Sequence, residues 1–441
     1  MGRSGRLARA ATTAALLAGS VNALPVPTAA ADDRQPRTEQ VDVAQDGTPA
    51  DAPVEGGRIS GDGHFVVFAS RAANLVPGAA GDRSKVFLKD LGTGRVELIS
   101  ATPDGTVADG DSVADSISAD GRYVVFSSAA TDLTGTARAG GGTDTYVRDR
   151  ATGRTELLVP GASPAAHSSD GQISDDGRFA VFSSDRTDLA PGADGADYLY
   201  VRDRRERTTV RIGGPLAWGR YTSPVISADG RKAGFKANGV PTDPPAATGQ
   251  AGPRRPSPDR QFYVYDIGTR RIRPAARGLD GEDVRADRIS LGPDGRHALF
   301  SCTSPHVVDG DTNEAADVFA TDLDTGAVRL LSRGPGGVQG DGGSATGAFL
   351  SADNRRAYFG SRATNLVPGD TNGTDDVFVR DLVTGAVARA STGTDGAQRT
   401  DHARLLGVDR AGDRVLFGSS PDQPTPAGPA TVTHLFVRHL T

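Results

Sequence analysis

The sequence predicts an all-β fold, a seven-bladed β-propeller of four-stranded antiparallel blades. The first reason is a repeat, because an apolar strand centred on phenylalanine recurs seven times at intervals of 53 to 65 residues. The second is that short turns recur with every copy, and the third is that no copy shows apolar residues at helical spacing. One four-stranded sheet cannot bury both its faces, whereas a ring of such sheets can.

The repeated strand carries the phenylalanine that anchors each predicted blade. These residues are Phe68, Phe126, Phe182, Phe235, Phe300, Phe359 and Phe417. A short strand and a tight turn precede each copy, and the turn is usually Asp-Gly, as at Asp120-Gly121. Glycine adopts positive φ without a Cβ clash and aspartate bonds nearby backbone, so this dipeptide favours a hairpin.

A third strand follows, with alternating apolar and polar residues as in DTYVRD at 144–149, and a Thr-Gly turn then leads to an outer strand. The third strand ends in an aspartate in six copies. We interpret this aspartate as architectural, placed to accept amide hydrogen bonds from the turn that follows it. The six residues are Asp90, Asp149, Asp203, Asp266, Asp322 and Asp381.

The two ends of the chain predict how the ring closes. The seventh unit stops after its third strand at Thr441, while residues 38–44 read as an outer strand that precedes the first blade. We expect this segment to join the last blade, so that no sheet edge stays open at the join. The alternative is a six-bladed or imperfectly closed ring. The predicted blade cores are 58–100, 116–159, 172–212, 225–275, 288–332, 349–391, and 404–441 with 38–44.

The repeat also carries a family resemblance. The motif Ser-Ala-Asp-Gly-Arg at 118–122, the phenylalanine strand and the strand end Val-Arg-Asp-Leu-x-Thr-Gly at 379–385 resemble the WD-repeat-like propeller units of the TolB family. The best copies are Ser118–Asp149 and Ser351–Asp381. The resemblance implies a propeller fold. It does not extend to the α/β domain that precedes the propeller in TolB proteins, nor does the sequence contain the Gly-x-Ser-x-Gly elbow of the peptidases that carry similar propellers.

Composition restricts the location and the partners of the protein. Residues 1–31 read as an export signal, with arginines, an alanine–leucine run and small residues before Asp32, so residues 32–441 are expected to form one secreted domain. The apolar run is too short to span a membrane. A net charge of −6 disfavours nucleic acid as a partner. The single cysteine, Cys302, excludes an intrachain disulfide, and we expect a monomer.

Two loops between the second and third strands are acidic in a pattern that suggests calcium. Oxygen-bearing side chains at alternating positions can wrap this ion, although the glutamate that completes an EF-hand is missing. The alternative is that these side chains cap turns and bind loop amides. The candidate ligands are Asp309, Asp311, Asn313 and Asp317 in blade 5, and Asp370, Asn372, Asp375 and Asp376 in blade 6.

The central channel is the second candidate site, since the inner strands that line it carry charged residues. Arg58, Asp170, Arg288 and Arg404 are candidate ligand-binding residues, and Asp115, Asp287 and His402 would be the acid–base residues if the protein were an enzyme.

Three functions remain open at this stage. The leading hypothesis is a non-enzymatic scaffold that presents its loop face to an envelope protein or polysaccharide. We define the loop face as the one formed by the loops between second and third strands, such as 303–316 and 362–374, and by the connections between blades. The alternatives are a carbohydrate-active lyase or glycoside hydrolase with its site at the channel mouth, and a calcium-rigidified spacer.

Overall fold

The computed structural model describes residues 1–2, 35–135, 142–161, 167–191, 193–214, 220–239, 261–344, 347–393, 395–420 and 434–440. Apart from its first two residues, the predicted export signal lies outside the described residues. The described chain forms seven four-stranded sheets in which all paired strands are antiparallel. The seven-bladed propeller predicted from the repeat is therefore confirmed, and the six-bladed alternative is excluded.

Blades 1 to 6 each use four consecutive strands, in chain order from the inner strand to the outer one. Blade 1 contains β2 (Val54–Ile59), β3 (Phe65–Ser70), β4 (Lys85–Asp90) and β5 (Val96–Leu98). Blade 2 contains β6 (Ser112–Ile117), β7 (Tyr123–Ser128), β8 (Asp144–Asp149) and β9 (Arg154–Leu157). Blade 3 contains β10 (Ser168–Ile173), β11 (Phe179–Ser184), β12 (Tyr198–Asp203) and β13 (Thr208–Ile212).

The second half of the ring follows the same order. Blade 4 contains β14 (Tyr221–Ile226), β15 (Lys232–Ala237), β16 (Gln261–Asp266) and β17 (Ile272–Pro274). Blade 5 contains β18 (Ile289–Leu291), β19 (His297–Cys302), β20 (Asp317–Asp322) and β21 (Val328–Leu330). Blade 6 contains β22 (Ala348–Leu350), β23 (Arg356–Ser361), β24 (Asp376–Asp381) and β25 (Val387–Arg389).

Blade 7 combines the two ends of the chain. It contains β26 (His402–Val408), β27 (Arg414–Ser420) and β28 (His434–His439), and its outer strand is β1 (Arg37–Gln40). The amide of Val41 continues the pairing by donating to the carbonyl of Leu435 at 2.8 Å. Val41 is fully buried, and the buried carboxylate of Asp42 accepts the amide of Leu435 at 2.9 Å. The predicted closure by the amino-terminal segment is confirmed.

One cross-strand aromatic pair fills the interior of every blade. The anchoring phenylalanine of the second strand packs against an aromatic ring of the third strand, with centroids 5.4 to 6.0 Å apart. All seven anchoring phenylalanines are buried. Such pairs contribute dispersion and ring electrostatics beyond the area they bury, which explains why this position keeps phenylalanine.

The first turn of the blade adopts the conformation that its sequence predicts. In blade 2, Gly121 has φ of +68°, and a Cβ there would lie 2.2 Å from the ring of Phe65 in blade 1. The Asp120 carboxylate accepts the amide of Arg122 at 2.9 Å and the hydroxyl of Ser118 at 2.7 Å. Glycine is thus required twice, by the backbone and by the neighbouring blade.

The inner strands of four blades begin four residues before the predicted limits, at Val54, Ser112, Ser168 and Tyr221. A β-bulge interrupts each of these strands, at Gly56, Asp115, Asp170–Gly171 and Ser223–Pro224 respectively. A bulge adds a residue and breaks the alternation of buried and exposed positions. The period-two pattern therefore ends there, although pairing with the second strand continues.

Candidate functional site in the central channel

The inner strands form a closed ring, since each contacts the inner strands of both neighbouring blades. Their side chains line the central channel of the propeller. Charged residues occupy this lining on five blades, namely Arg58 on blade 1, Asp115 on blade 2, Asp170 on blade 3, Arg288 at the start of the inner strand of blade 5, and Arg404 on blade 7. These are five of the seven channel residues that the sequence nominated.

Three of the channel residues are arginines that repel one another electrostatically. Arg404 is half-buried, and burial together with repulsion from Arg288 and Arg58 lowers its pKa. The Arg58 guanidinium donates to the carbonyl of Gly57 at 2.9 Å, and burial lowers its pKa as well. Within the described part of the chain, no carboxylate lies within ion-pair distance of Arg58, Arg288 or Arg404. Bringing such cations together without paired anions costs free energy.

Two carboxylates lie on the inner strands of blades 2 and 3. Asp115 is 8% exposed and accepts the hydroxyl of Ser127 at 2.5 Å and the amide of Gly171 at 3.3 Å. Burial, with repulsion from Asp170, raises the pKa of Asp115 to about 7 despite the opposing effect of Arg58. Asp170 lies on the bulge of its strand with φ of +57°, and partial desolvation of its carboxylate by the surrounding protein raises its pKa although the residue is exposed at the channel. The equivalent bulge residue of blade 4, Ser223, has φ of +55°, so this backbone conformation belongs to the repeat.

The charges are therefore distributed unevenly around the ring. Carboxyl groups lie on blades 2 and 3, whereas guanidinium groups lie on blades 5, 7 and 1. Arg288 and Asp170 are exposed to water, so a solute can reach both sides. We refer to Arg58, Asp115, Asp170, Arg288 and Arg404 as the channel cluster. Guanidinium groups bind carboxylates and phosphates, and carboxylates accept hydrogen bonds from hydroxyl groups.

An ion pair crosses the channel beyond the cluster. Arg410 of blade 7 donates through Nε to Oδ2 of Asp175 in blade 3 at 2.7 Å, and through Nη2 to Oδ1 of the same carboxylate. Both residues lie in the first turns of their blades. The first turns and the Thr-Gly turns share one face, which we call the turn face. The pair therefore obstructs the turn-face end of the channel.

Backbone hydrogen bonds between successive turns surround this ion pair. The amide of Asp62 donates to Ala119, that of Ala119 to Asp175, and that of Arg410 to Gly61. A Cβ at Gly61 would lie 2.9 Å from the Cβ of Ala119, so this contact requires glycine. Because the ion pair spans the turn-face end, we expect a solute to reach the channel cluster from the loop face.

The other two predicted acid–base residues, Asp287 and His402, bind partners outside the channel cluster. The Asp287 carboxylate pairs with Arg285 at 3.4 Å, and its carbonyl accepts from Lys236 at 2.9 Å. His402 lies at the beginning of its strand, where its Nδ1 is 3.3 Å from Oδ2 of Asp375. No described hydrogen bond or ion pair joins either residue to Asp115. The structure thus does not assemble Asp115, Asp287 and His402 into one acid–base set.

The acidic loop of blade 5 is tied together by a glutamine from the next connection. The amide of Gln339 donates to Asp311 at 2.8 Å and to Asp317 at 2.6 Å, and its carbonyl accepts the amide of Thr312 at 3.0 Å. Ser332 donates to the other oxygen of Asp317, whose pKa is raised by burial. Asn313 also bonds to backbone, donating to Gly340 at 2.9 Å. Asp309 lies exposed in the same loop.

Blade 6 repeats this arrangement. Gln398 donates to Asp370 at 2.9 Å and to Asp376 at 3.4 Å, and Asn372 donates to Asp376 at 3.1 Å. The guanidinium of Arg389 also lies 3.1 Å from Asp370 and 3.2 Å from Asp376, which opposes a second cation there. No group of three or more histidine, cysteine or acidic residues is placed to hold a metal within the described ranges. The geometry favours the loop-capping interpretation, and calcium binding stays a prediction.

The aspartates that end the third strands have the contacts expected of turn caps. Asp90 accepts the amides of Gly92 and Thr93, and Asp381 those of Val383 and Thr384, at distances from 2.7 to 3.0 Å. The same pattern holds in the other four blades.

Asp175, Arg410 and the two loop glutamines were not predicted from the sequence. A signal for the ion pair was present, since the second position of the first turn is glycine, alanine or proline in five blades and charged in blades 3 and 7. The glutamines also occupy equivalent positions, but their partners in the preceding loops could not be inferred from one blade alone.

No helix in the described chain has the length and apolar character that a membrane crossing requires. No protein-family model matches the sequence, and no curated protein matches it either. The chain is therefore compared through its fold.

Three solved structures illustrate that likeness. The oligogalacturonate lyase of Vibrio parahaemolyticus has 14% identity and a TM-score of 0.53, over 92% of this chain and 97% of that one. The β-propeller domain of the Trilobed protease from Pyrococcus furiosus, described as having an open velcro topology, has 13% identity and a TM-score of 0.50, over 88% and 98%. The acylaminoacyl peptidase of Pyrococcus horikoshii has 14% identity and a TM-score of 0.50, over 88% of this chain but 52% of that one. The chain is thus similar in fold to propellers of lyases and peptidases, and no TolB-like family is shown.

Proposed function

We propose that this chain is an exported binding propeller that holds an acidic sugar, one that bears a carboxylate, in its central channel. The observation that carries the proposal is the convergence of Arg58, Arg288 and Arg404, three arginines from three blades without a paired carboxylate in the described structure. An anionic ligand would relieve their mutual repulsion and supply the missing partner.

The carboxylate of Asp170 on blade 3 supports a sugar in preference to a simple anion. It is exposed, so it can accept hydrogen bonds from sugar hydroxyls while the arginines hold the carboxylate of the ligand. The ion pair between Arg410 and Asp175 obstructs the turn face, so the ligand would enter from the loop face. This retains the scaffold hypothesis and assigns its ligand site to the channel instead of to the loops alone.

Calorimetric titration with oligogalacturonate tests this proposal. We expect saturable binding by the protein, and a loss of about tenfold in affinity for Arg288→Ala or Arg404→Ala. Arg355→Ala is the matched control, because Arg355 is exposed on a first turn outside the channel. A neutral oligosaccharide of the same length should not bind. Equal effects of all three substitutions would contradict the assignment.

A second candidate is an enzyme that acts on the same kind of sugar. The specific observation in its favour is the pKa of Asp115, about 7, beside the guanidinium of Arg58. Such a carboxyl can exchange a proton at neutral pH, as a lyase or glycoside hydrolase requires. The lyases among the structural neighbours share only the fold at this identity.

Product analysis separates the two candidates. If the chain is an enzyme, incubation with acidic polysaccharides yields shorter products, and Asp115→Asn abolishes them while oligogalacturonate still binds. If the chain only binds, neither protein changes the polymer.

A further inference from the structure

A groove of about 980 Å³ runs along the outer strand of blade 2, between blades 2 and 3. It begins near Pro103 and Leu133 on the loop face and ends near Gly153 and Arg207 on the turn face, and all of β9 contributes to it. It lies on the outside of the ring and shares no residue with the channel cluster.

The groove is strongly basic. Five arginines line it, against a single glutamate, and they are Arg148, Arg154, Arg202, Arg204 and Arg207. Glu156 pairs with Arg204 at 3.4 Å. In the described part of the chain, no carboxylate lies within ion-pair distance of the other four arginines.

The arginines carry an energetic penalty in the free protein. Burial lowers the pKa of both Arg148 and Arg202, and repulsion from Arg207 adds to the effect at Arg202. Glu97 opposes the shift at Arg148, but its carboxylate already bonds Arg150 at 3.0 Å. An anion bound in the groove would offset this penalty.

The repeat provides an internal comparison. The corresponding groove between blades 3 and 4 measures about 340 Å³, and Tyr265 stands there at the strand position that Arg202 occupies in blade 3. The Nε atoms of Arg148 and Arg202 are buried without a hydrogen-bond partner. The same is true of Arg380 and Arg438, so this feature belongs to the repeat. The size of the groove distinguishes it from the one between blades 3 and 4, whereas its other arginines have counterparts elsewhere: Arg270 stands at the position of Arg207, and Arg95 and Arg150 stand at those of Arg154 and Arg204.

The groove follows a free sheet edge. Among the described strands, β9 pairs with β8 alone, so every second backbone amide and carbonyl of β9 faces away from the sheet. The half-buried side chain of Leu157 lies beside this edge, and the buried side chains of Leu133 and Leu158 form the apolar floor beneath it. None of the described lining residues is aromatic, so the groove lacks the stacking platform that sugar rings favour. An extended peptide uses all three features, whereas a glycan uses only the charge.

We propose that the groove between blades 2 and 3 binds an acidic, extended peptide of a partner protein, which adds to the free edge of β9 and places its carboxylates on the arginines. The inference goes beyond the proposed function, because it concerns another surface and another class of ligand.

Fluorescence anisotropy of the full chain with a short dye-labelled peptide that alternates glutamate and valine tests the proposal. We expect saturable binding, and a loss of about tenfold in affinity for the variant Arg154→Glu with Arg207→Glu. Glu156→Gln should tighten binding, because it removes the one carboxylate in the groove that competes with the ligand. Arg329→Glu, an exposed reversal on the outer strand of blade 5, is the control for net charge.

Two further arms distinguish the mode of binding. The same peptide methylated on alternate backbone nitrogens should not bind, because strand addition requires its amides. The channel variant Arg288→Ala should bind the peptide normally, so failure of this proposal is distinguishable from failure of the channel site. Absence of binding, equal binding of the methylated peptide, or an equal loss in Arg329→Glu would overturn the proposal. It would also be overturned if the groove variant lost affinity for oligogalacturonate while the peptide did not bind.

Discussion

Arg410 and Asp175 are 235 residues apart in the sequence, yet their side chains form a two-pronged ion pair that joins blade 7 to blade 3. These blades are not neighbours in the ring, so the pair links parts of the propeller that the repeat alone leaves unconnected. The contact spans the turn-face end of the channel, and we expect a ligand to approach from the loop face.

The first prediction concerns the stability that this pair contributes. Both side chains are about one-third exposed, at 35% and 30%, so water screens part of the attraction. We expect Arg410→Met to lower the free energy of unfolding by roughly 1 to 2 kcal/mol, measured by urea titration. The double variant with Asp175→Asn should cost less than the sum of the two single changes. Additive effects would show that the two groups do not interact in solution.

The second prediction concerns closure of the ring. A protein that lacks residues 1–44 loses β1, the buried Val41 and the Asp42 carboxylate that holds Leu435, and it leaves β28 as an open edge. We expect it to melt at a much lower temperature than a protein that lacks residues 1–34, which is the matched control. Equal melting temperatures would mean that β1 does not stabilise blade 7.

The third prediction is a pH dependence that arises from Asp115. Its pKa of about 7 in the folded protein exceeds the ordinary aspartate value of 3.8, so between these pH values the folded state holds a proton that the unfolded state has released. Stability from this group therefore falls as the pH rises from about 4 to about 7. Asp115→Asn removes this dependence. The free energy of unfolding of the variant, relative to that of the unaltered protein, should therefore be higher at pH 8 than at pH 4 by roughly 2 to 4 kcal/mol.

Thermal melts of both proteins across this pH range provide the measurement. Asp324→Asn is the control, because that side chain is 64% exposed in a turn. Parallel profiles of the Asp115→Asn variant and the unaltered protein would contradict the buried, protonated carboxyl.

The fourth prediction follows from the repulsion at Arg404. Removing a half-buried cation that two other arginines oppose should not destabilise the free protein, although the same change should weaken ligand binding. We expect the apo Arg404→Met variant to melt at the same temperature as the unaltered protein or slightly above it. A drop of several degrees would indicate a structural role for this arginine.

The fold was predictable because the same pattern of strands and turns recurs in every unit of the sequence. The phenylalanine strand, the Asp-Gly turn and the third-strand aspartate recur in register, so seven weak local signals reinforce one another. The crossing of residues 37–41 to blade 7 was equally accessible, because the last unit lacked a fourth strand. The limits of the inner strands were less accessible, since bulges at Gly56, Asp115 and Asp170 end the period-two pattern early.

The site was predictable only in part. The inner strand could be recognised, so Arg58, Asp115, Asp170, Arg288 and Arg404 were nominated by position. Which of these residues come close to one another could not be inferred, because that depends on which blades face each other across the ring. For the same reason, the contact between Arg410 and Asp175 could not be predicted. His402 and Asp287 were predicted as channel residues, but they pair with Asp375 and Arg285 respectively.

The central claim is that the channel arginines hold the carboxylate of an acidic sugar. A crystal structure of the full chain soaked with oligogalacturonate tests it most directly. The account predicts sugar density inside the ring, with a carboxylate between Arg288 and Arg404 and hydroxyls toward Asp170. Sugar bound only outside the ring, or a channel without density at a concentration that saturates binding in solution, would contradict it.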